Sequence, residues 1–280
     1  MRSRMLEVVP LVFEPEDRLN STTIVVADNP PIRTITLNRP ERRNAMTPEM
    51  QAELIAAMED TCASNCRVLV LTGAGEAFCS GLDLSGLQGM GGKTDLEHRV
   101  DAARIARLFR TLYELPMPTI AAVHGPAIAG GAGLATICDF TLATPAARFG
   151  FTETRIGFVP AFVSAFLALQ VGDKRSRDLL LTGRILDAEE AFRLGLVTEV
   201  IAPENLLGRT QSLAETLIAN SPQALAATKR LLAAQNKAWL DAAIEAALEA
   251  NAEARETADF HEGVSAFLEK RKPAWKKASS

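Results

Sequence analysis

Apolar positions in this chain follow two patterns. Short strand-like runs lie at 23–26, 33–37, 68–71, 119–123 and 140–143, bounded by Gly, Pro, Asn and Asp. Runs of this length and setting predict strands, and the unbroken run at 68–71 predicts one covered on both faces. Between them the apolar spacing changes to three and four, which predicts helices at 47–64, 96–114, 161–171, 176–181 and 188–194. Thr47 followed by Pro48 and Glu49 marks a helix start, with threonine as the cap and proline in the first turn. Beyond residue 203 the pattern is helical throughout, over about 203–219, 222–234, 238–258 and 261–271. The alternation predicts an α/β core over 21–202 followed by a helical region over 203–280. Residues 1–20 mix charge and proline without period and read as an extension.

Composition narrows the possible partners. The 280 residues are 48% hydrophobic and 23% charged, an ordinary globular balance, and the net charge of −4 does not attract nucleic acid or an anionic membrane. No apolar run is long enough to cross a bilayer and no signal peptide is apparent, so a cytoplasmic protein with no membrane partner is expected. Of the four cysteines, Cys62 and Cys66 lie four apart with no second pair to complete a zinc site. The thiols are expected to be reduced core residues, with no metal bound.

Two glycine stretches carry the candidate chemistry. The segment IAAVHGPAIAGGAGLATICDF (120–140) reads as strand, turn and a helix of small residues, with Gly130 and Gly131 at the helix start. Without a Cβ the main chain can approach a ligand closely. The free N–H groups of a helix N-terminus can bind a phosphate or stabilise an oxyanion. A glycine pair in front of a helix is more often explained by close packing, so the assignment needs a second element. AFCSGLDL (77–84), after the strand at 68–71, is a second place where small residues bring backbone N–H groups to a strand's carboxyl end, where ligands bind in α/β sheets. Glu153 stands within ARFGFTETRIGFVPAF (147–162), between apolar and glycine positions. The segment 85–93 has four glycines in nine residues and is expected to be mobile.

Taken together, these stretches resemble the enoyl-CoA hydratase/isomerase (crotonase) family. The 120–140 segment resembles its signature and AFCSGLDL its other oxyanion loop. LLTGRILDAEEAFRLGLV (180–197) and HEGVSAFLEKRKPAW (261–275) resemble its later landmarks. The resemblance implies an α/β fold, a spiral of ββα units with a C-terminal helical region that forms a homotrimer, often paired into a hexamer. It implies an acyl-CoA thioester substrate and no separate cofactor, coenzyme A being part of the substrate. By resemblance, the N–H groups of Leu82 and Gly130 hold the thioester carbonyl. Ala45, Ser80, Gly81, Leu84, Gly131 and Phe267 are then expected beside the substrate. Arg39, Arg42 and Arg43 stand where relatives contact phosphates, and Lys270 where a C-terminal lysine reaches the nucleotide, sometimes across a subunit boundary. Each of these basic residues reads equally as surface charge. Asp83 matches an acidic position beside the oxyanion loop, with a structural role expected.

The carboxylates define the expected chemistry. Family hydratases hold water between two glutamates; the first position is Gly133 here and the second is Glu153. A lone carboxylate in an apolar pocket is pushed toward neutrality and can serve as acid or base near neutral pH. Reversible hydration of a 2-enoyl-CoA is the expected activity. GGxGLA at 130–135 and ExRIGxxPA at 153–161 match relatives that hydrate or dehydrate branched or carboxylated acyl groups. Isomerisation of a 3-enoyl-CoA by the same glutamate is the alternative, and a non-catalytic acyl-CoA-binding protein a further one. Dienoyl-CoA isomerases need a carboxylate where Ala161 stands, and the naphthoate synthase branch a late tyrosine, whereas Tyr113 is the only one present. His124 is expected to be hydrogen-bonded and structural, and His98 and His261 to lie on helix surfaces. The acyl pocket is expected between the 85–93 segment, the 96–114 helix, Phe158, Phe162 and Phe166.

Overall fold

The computed structural model describes residues 21–85 and 95–275. The long sheet begins with an antiparallel hairpin, β1 (Ile24–Asn29) and β2 (Ile32–Leu37), in which Ile24 faces Leu37. β3 (Val68–Gly73), β4 (Thr119–Val123), β6 (Phe140–Ala143) and β9 (Glu199–Val200) follow in parallel, in the order β1-β2-β3-β4-β6-β9. Successive side chains of a strand point to opposite faces. Leu69 and Leu71 therefore enter the main core, while Val68 and Val70 join Ile120, Ala122 and Leu142 beneath α6 (Leu206–Ile218). Helices on both faces explain why this strand reads as a continuous apolar run.

A second sheet of three-residue strands, β5 (Pro126–Ile128), β7 (Arg148–Gly150) and β8 (Ile185–Asp187), lies apart from the first. The chain repeats one unit: a strand in the long sheet, a short extended step in the second layer, then a helix. β4-β5-α3 and β6-β7-α4 are complete units, with α3 spanning Gly130–Ile137 and α4 Ala161–Thr182. In the unit leading to α2 (Asp95–Glu114) the second strand is reduced to one bridge, Cys79 to Ala127; before α1 (Pro48–Ala63) a comparable bridge joins Met46 to Leu82. Those single bridges join the chain before α1 to the AFCSGLDL loop, and that loop to β5.

α5 (Ala188–Leu194) precedes β9, and the chain ends in α6, α7 (Pro222–Glu256) and α8 (Ala258–Leu268). α7 packs across α2 and α4. It runs unbroken where two helices were expected, because Gln235, Asn236 and Lys237 are tolerated in helices. The Asn236 amide also reaches the Tyr113 hydroxyl at 3.2 Å, fastening α7 to α2. α4 does bend between its two expected parts, at Gly172 with φ 77°. His98 corrects another expectation: it is buried, because positions 98, 102, 105, 109 and 112 share the packed face of α2. All four thiols are free, and Cys62 is exposed rather than in the core. Among the described residues, no helix is long and apolar enough to cross a membrane.

α8 presses on the 3-10 turn at 153–156. A Cβ on Gly263 would lie 2.2 Å from the Ile156 carbonyl oxygen, and one on Gly157 2.3 Å from that of Asp259. Gly157 adopts φ +65°, a conformation that also favours glycine. The turn carrying Glu153 is thus clamped by the C-terminal helix, with the rings of Phe158 and Phe260 4.8 Å apart beside it.

Candidate active site

The two glycine stretches meet. Ile128 N–H donates to the Cys79 carbonyl at 2.8 Å, and a Cβ on Gly131 would lie 2.2 Å from that same oxygen. Gly81, at φ +91°, stands over Ala129 and Gly130. Close packing accounts for Gly131, and a Cβ on Gly130 would also lie 2.8 Å from Met46 Cε. In the AFCSGLDL loop, Met46 N–H donates to the Gly81 carbonyl at 2.7 Å and Asp83 N–H to the Met46 carbonyl at 3.0 Å. Those bonds hold Leu82 from both sides. Among the described residues the N–H groups of Leu82 and Gly130 meet no acceptor, as the first turn of α3 requires for Gly130.

Ala129, immediately before Gly130, holds φ 52° and ψ −124°, a conformation an L-residue adopts at a cost of about 1–3 kcal/mol. Its N–H donates to the Gly150 carbonyl at 2.6 Å. Anchored on β5 and β7, the backbone is forced to aim the next N–H outward.

Beside these groups lies a cavity of about 280 Å³. Its walls are mostly apolar: Met46, Ile105, Phe109, Phe158, Phe162 and Val163 among them. Glu153 enters it from the 3-10 turn with 9% of its surface exposed, and its Oε2 has no hydrogen-bond partner. Burial pushes its carboxyl up to about 7, against a smaller lowering by its own backbone N–H. A buried, unpartnered carboxyl near neutrality can accept a proton or return one. A Cβ on Gly133 would lie 2.7 Å from Val163 Cγ1 and 3.1 Å from Phe109 Cζ. The position is therefore closed by packing, and Glu153 is the only carboxylate in the cavity wall among the described residues.

The remaining expected residues divide into two sets. Arg43, Ser80, Leu82, Leu84, Gly130, Glu153 and Phe267 line the cavity together, Phe267 with 58% of its surface exposed. Arg39 does not reach the cavity. Its guanidinium donates to Asp83 at 2.9 Å and to the Ala45 carbonyl at 2.5 Å. Desolvation pushes the Asp83 carboxyl up, but hydrogen bonds from Ser85 and Arg39 outweigh it and hold it below the usual range. Arg39 thus secures the loop bearing Leu82, whereas a phosphate contact was expected of it. Arg42 is exposed on the neighbouring 3-10 turn, and Lys270 is exposed past the end of α8, outside the cavity wall of this chain. Phe166 lies behind the wall, its ring 6.2 Å from Phe109 and 5.5 Å from Tyr113. His124 Nε2 bonds the Gly75 carbonyl at 2.9 Å, and burial lowers its pKa. The glycine-rich segment lies outside the described residues apart from Ser85. Among the described residues, no group of three His, Cys, Asp or Glu could hold a metal.

Asn251, also in the wall, escaped the sequence reading. The signal was present: Leu240, Ile244, Ala247, Asn251 and Arg255 recur on one face of α7, so two polar residues occupy a buried stripe.

Comparison with known proteins agrees with this geometry. The family model described as enoyl-CoA hydratase/isomerase matches residues 28–278. A Clostridium acetobutylicum protein named short-chain-enoyl-CoA hydratase is 33% identical over 86% of this chain and 92% of its own. An Escherichia coli K12 protein named 1,2-epoxyphenylacetyl-CoA isomerase is 35% identical over 86% and 94%. The crystal structure of an enoyl-CoA hydratase/isomerase from Xanthobacter autotrophicus Py2 superposes with a TM-score of 0.83 at 31% identity, over 89% of this chain and 94% of that one.

Proposed function

This chain belongs to the enoyl-CoA hydratase/isomerase family and has its crotonase-type fold, and from that premise we propose that it adds water reversibly to the double bond of a 2-enoyl-CoA thioester. The observation that carries the reading is Glu153, buried with its Oε2 unpartnered in an apolar cavity, beside two N–H groups that meet no acceptor among the described residues.

In this reading the thioester oxygen accepts from Leu82 and Gly130. Glu153, as carboxylate, takes a proton from water while the hydroxyl adds at C3 and negative charge moves through C2 onto the thioester oxygen. The two N–H groups hold that enolate, one such donor being worth about 2.7–4 kcal/mol in the transition state. Glu153 then returns the proton to C2, so one carboxyl acts in turn as base and acid. Arg43, at the cavity mouth, is the nearest candidate for a coenzyme A phosphate contact; Arg42 and Lys270 add positive charge outside it. No further cofactor enters the scheme.

A second reading is supported by the packing around Gly133, which leaves no place for a second carboxylate. Glu153 would take a proton from C2 of a 3-enoyl-CoA and return it at C4, giving the 2-enoyl isomer. Steady-state turnover of 2-enoyl and 3-enoyl thioesters decides between them. Hydration of 2-enoyl substrates, reduced about 10²–10⁴-fold in Glu153→Gln, supports the first reading. Conversion of 3-enoyl substrates alone supports the second, and binding of both without turnover leaves an acyl-CoA-binding protein.

We further propose a cytoplasmic homotrimer or a hexamer of paired trimers. Leu231, Leu232 and Trp239 on α7 and Trp275 beyond α8 are large apolar side chains left exposed, which supports association. Sedimentation equilibrium would distinguish these states from a monomer.

A further inference from the structure

The acyl cavity contains a polar group that the hydration scheme does not use. Asn251 lines it with only 2% of its surface exposed, among Ile105, Phe109, Phe158, Phe162 and Val163. Its orientation is fixed by a neighbour on the same helix. Arg255 Nε donates to Asn251 Oδ1 at 3.0 Å, and an arginine can only donate, so the bonded atom must be the amide oxygen. The Asn251 Nδ2 group, with its two N–H donors, is left on the other side. Among the described residues it has no acceptor. Arg255 itself is 3% exposed, with its guanidinium carbon 5.7 Å from the centre of the Phe158 ring, which also walls the cavity. Burial lowers the Arg255 pKa, and Asp101 on α2 offsets part of that by favouring the charged form. One cation thus lies behind both the amide and the aromatic wall, and polarises the amide toward donation.

A buried donor facing an apolar cavity is costly until an acceptor meets it, and a site built around such a group discriminates against ligands that lack the acceptor. A saturated hydrocarbon chain would leave Asn251 unsatisfied.

We propose that this cavity selects acyl groups bearing a hydrogen-bond acceptor oxygen on the chain, a carboxylate or a carbonyl, and that the Asn251 amide held by Arg255 is the residue that reads it. The inference deepens the acyl-CoA reading of the same site and rests on it. Asn251 is a specificity residue in this scheme, and Arg255 a positioning residue that sets which face of the amide the ligand meets.

Binding of saturated thioesters, which have no double bond to react, tests the inference separately from the chemistry. Glutaryl-CoA, 5-oxohexanoyl-CoA and hexanoyl-CoA are close in size and carry a carboxylate, a carbonyl or a methylene at the same place. Succinyl-CoA, 4-oxopentanoyl-CoA and pentanoyl-CoA repeat the comparison one carbon shorter. Calorimetric titration of the wild type should show an oxygen-bearing member of one set binding about 10- to 100-fold more tightly than its hydrocarbon counterpart, the range expected for a hydrogen bond to a charged or polarised group. A gain confined to the acids identifies a carboxylate, and a gain shared with the ketones a carbonyl oxygen of either kind. Asn251→Asp keeps an oxygen for Arg255 and replaces the N–H donors with a second acceptor, so the preference should vanish while the hydrocarbon thioesters bind within about threefold of wild type. Equal binding across both sets in the wild type, or a preference that survives Asn251→Asp, overturns the proposal. If Asn251→Asp weakens every thioester alike, the residue holds water or the fold instead, and the proposal also fails. Crotonyl-CoA turnover measured alongside reports separately on hydration. Its absence, with the binding preference intact, would overturn the hydratase reading and leave the specificity reading standing.

Discussion

Replacing Glu153 by glutamine should make the protein more stable as well as inactive, and the gain should depend on pH. Burial moves the Glu153 carboxyl from its ordinary 4.5 to about 7. A displacement of that size makes ionisation about 3 kcal/mol harder in the folded protein than in the unfolded chain. The folded state therefore binds the proton more tightly. The contribution of Glu153 to stability is complete below about pH 4.5 and is lost as pH rises through about 7; above that, the folded protein carries a buried carboxylate with no cation beside it. Glutamine does not titrate. Relative to wild type, Glu153→Gln should gain about 2–3 kcal/mol between pH 5 and pH 8, most of it before pH 7.5.

Urea unfolding of both proteins at pH 5, 6, 7 and 8, at one fixed protein concentration because association adds to apparent stability, measures this difference directly. In parallel, kcat/KM of the wild type for a 2-enoyl-CoA should rise with pH through about 7, since the reaction begins from the carboxylate. Stability curves of wild type and variant that stay parallel across this range would refute the reasoning. They would mean that Glu153 is solvated or paired in the folded protein, and its use as a tuned base would then lack its physical basis.

Other substitutions test the rest of the site. Ala129→Gly should relieve the positive φ and stabilise the protein by about 1 kcal/mol while lowering kcat, because the Gly130 N–H is then aimed less firmly; thermal melts and turnover would show the opposite movements. Gly133→Ala gains up to about 1 kcal/mol in helix propensity but meets Val163 Cγ1 at 2.7 Å, so a net loss of about 1–2 kcal/mol is expected, partly restored by Val163→Ala in the double variant. Arg39→Met leaves Asp83 without its cation and should cost about 1–3 kcal/mol and lower kcat, whereas Arg43→Ala should chiefly raise KM.

The legible parts of the molecule were those set by local chemistry. The long sheet follows from apolar runs that helices cover on both faces, and α1 from Thr47, whose hydroxyl accepts from Met50 N–H at 3.1 Å. The second sheet was not legible, because its strands are three residues long and begin at residues such as Pro126, which reads as turn. Those strands pair only when separate units stack. Arg39, Arg42 and Arg43 show the same limit: three nearby arginines look alike in sequence, but tertiary structure gives one a carboxylate partner, one a place at the cavity and one to solvent.

Gly133 shows how far an absence can be read. Sequence alone places a glycine where relatives carry a carboxylate, and this leaves open whether another residue or a solvent-filled gap takes over. In the structure the space belongs to Val163 and Phe109, both buried and both in the cavity wall. The missing carboxylate is therefore built into the packing between α2, α3 and α4, and restoring it would require moving two core side chains. A cavity closed to the second carboxylate keeps Glu153 from sharing its proton with a like-charged neighbour, so desolvation, offset in part by its own backbone N–H, sets its pKa. In the proposed reaction the chemistry depends on one group that burial has brought near neutrality, carried on a turn that α8 contacts at Gly157 and Gly263. The C-terminal helices contribute to that proposed reaction without touching the substrate's double bond, by bracing the turn at 153–156 that carries the carboxyl.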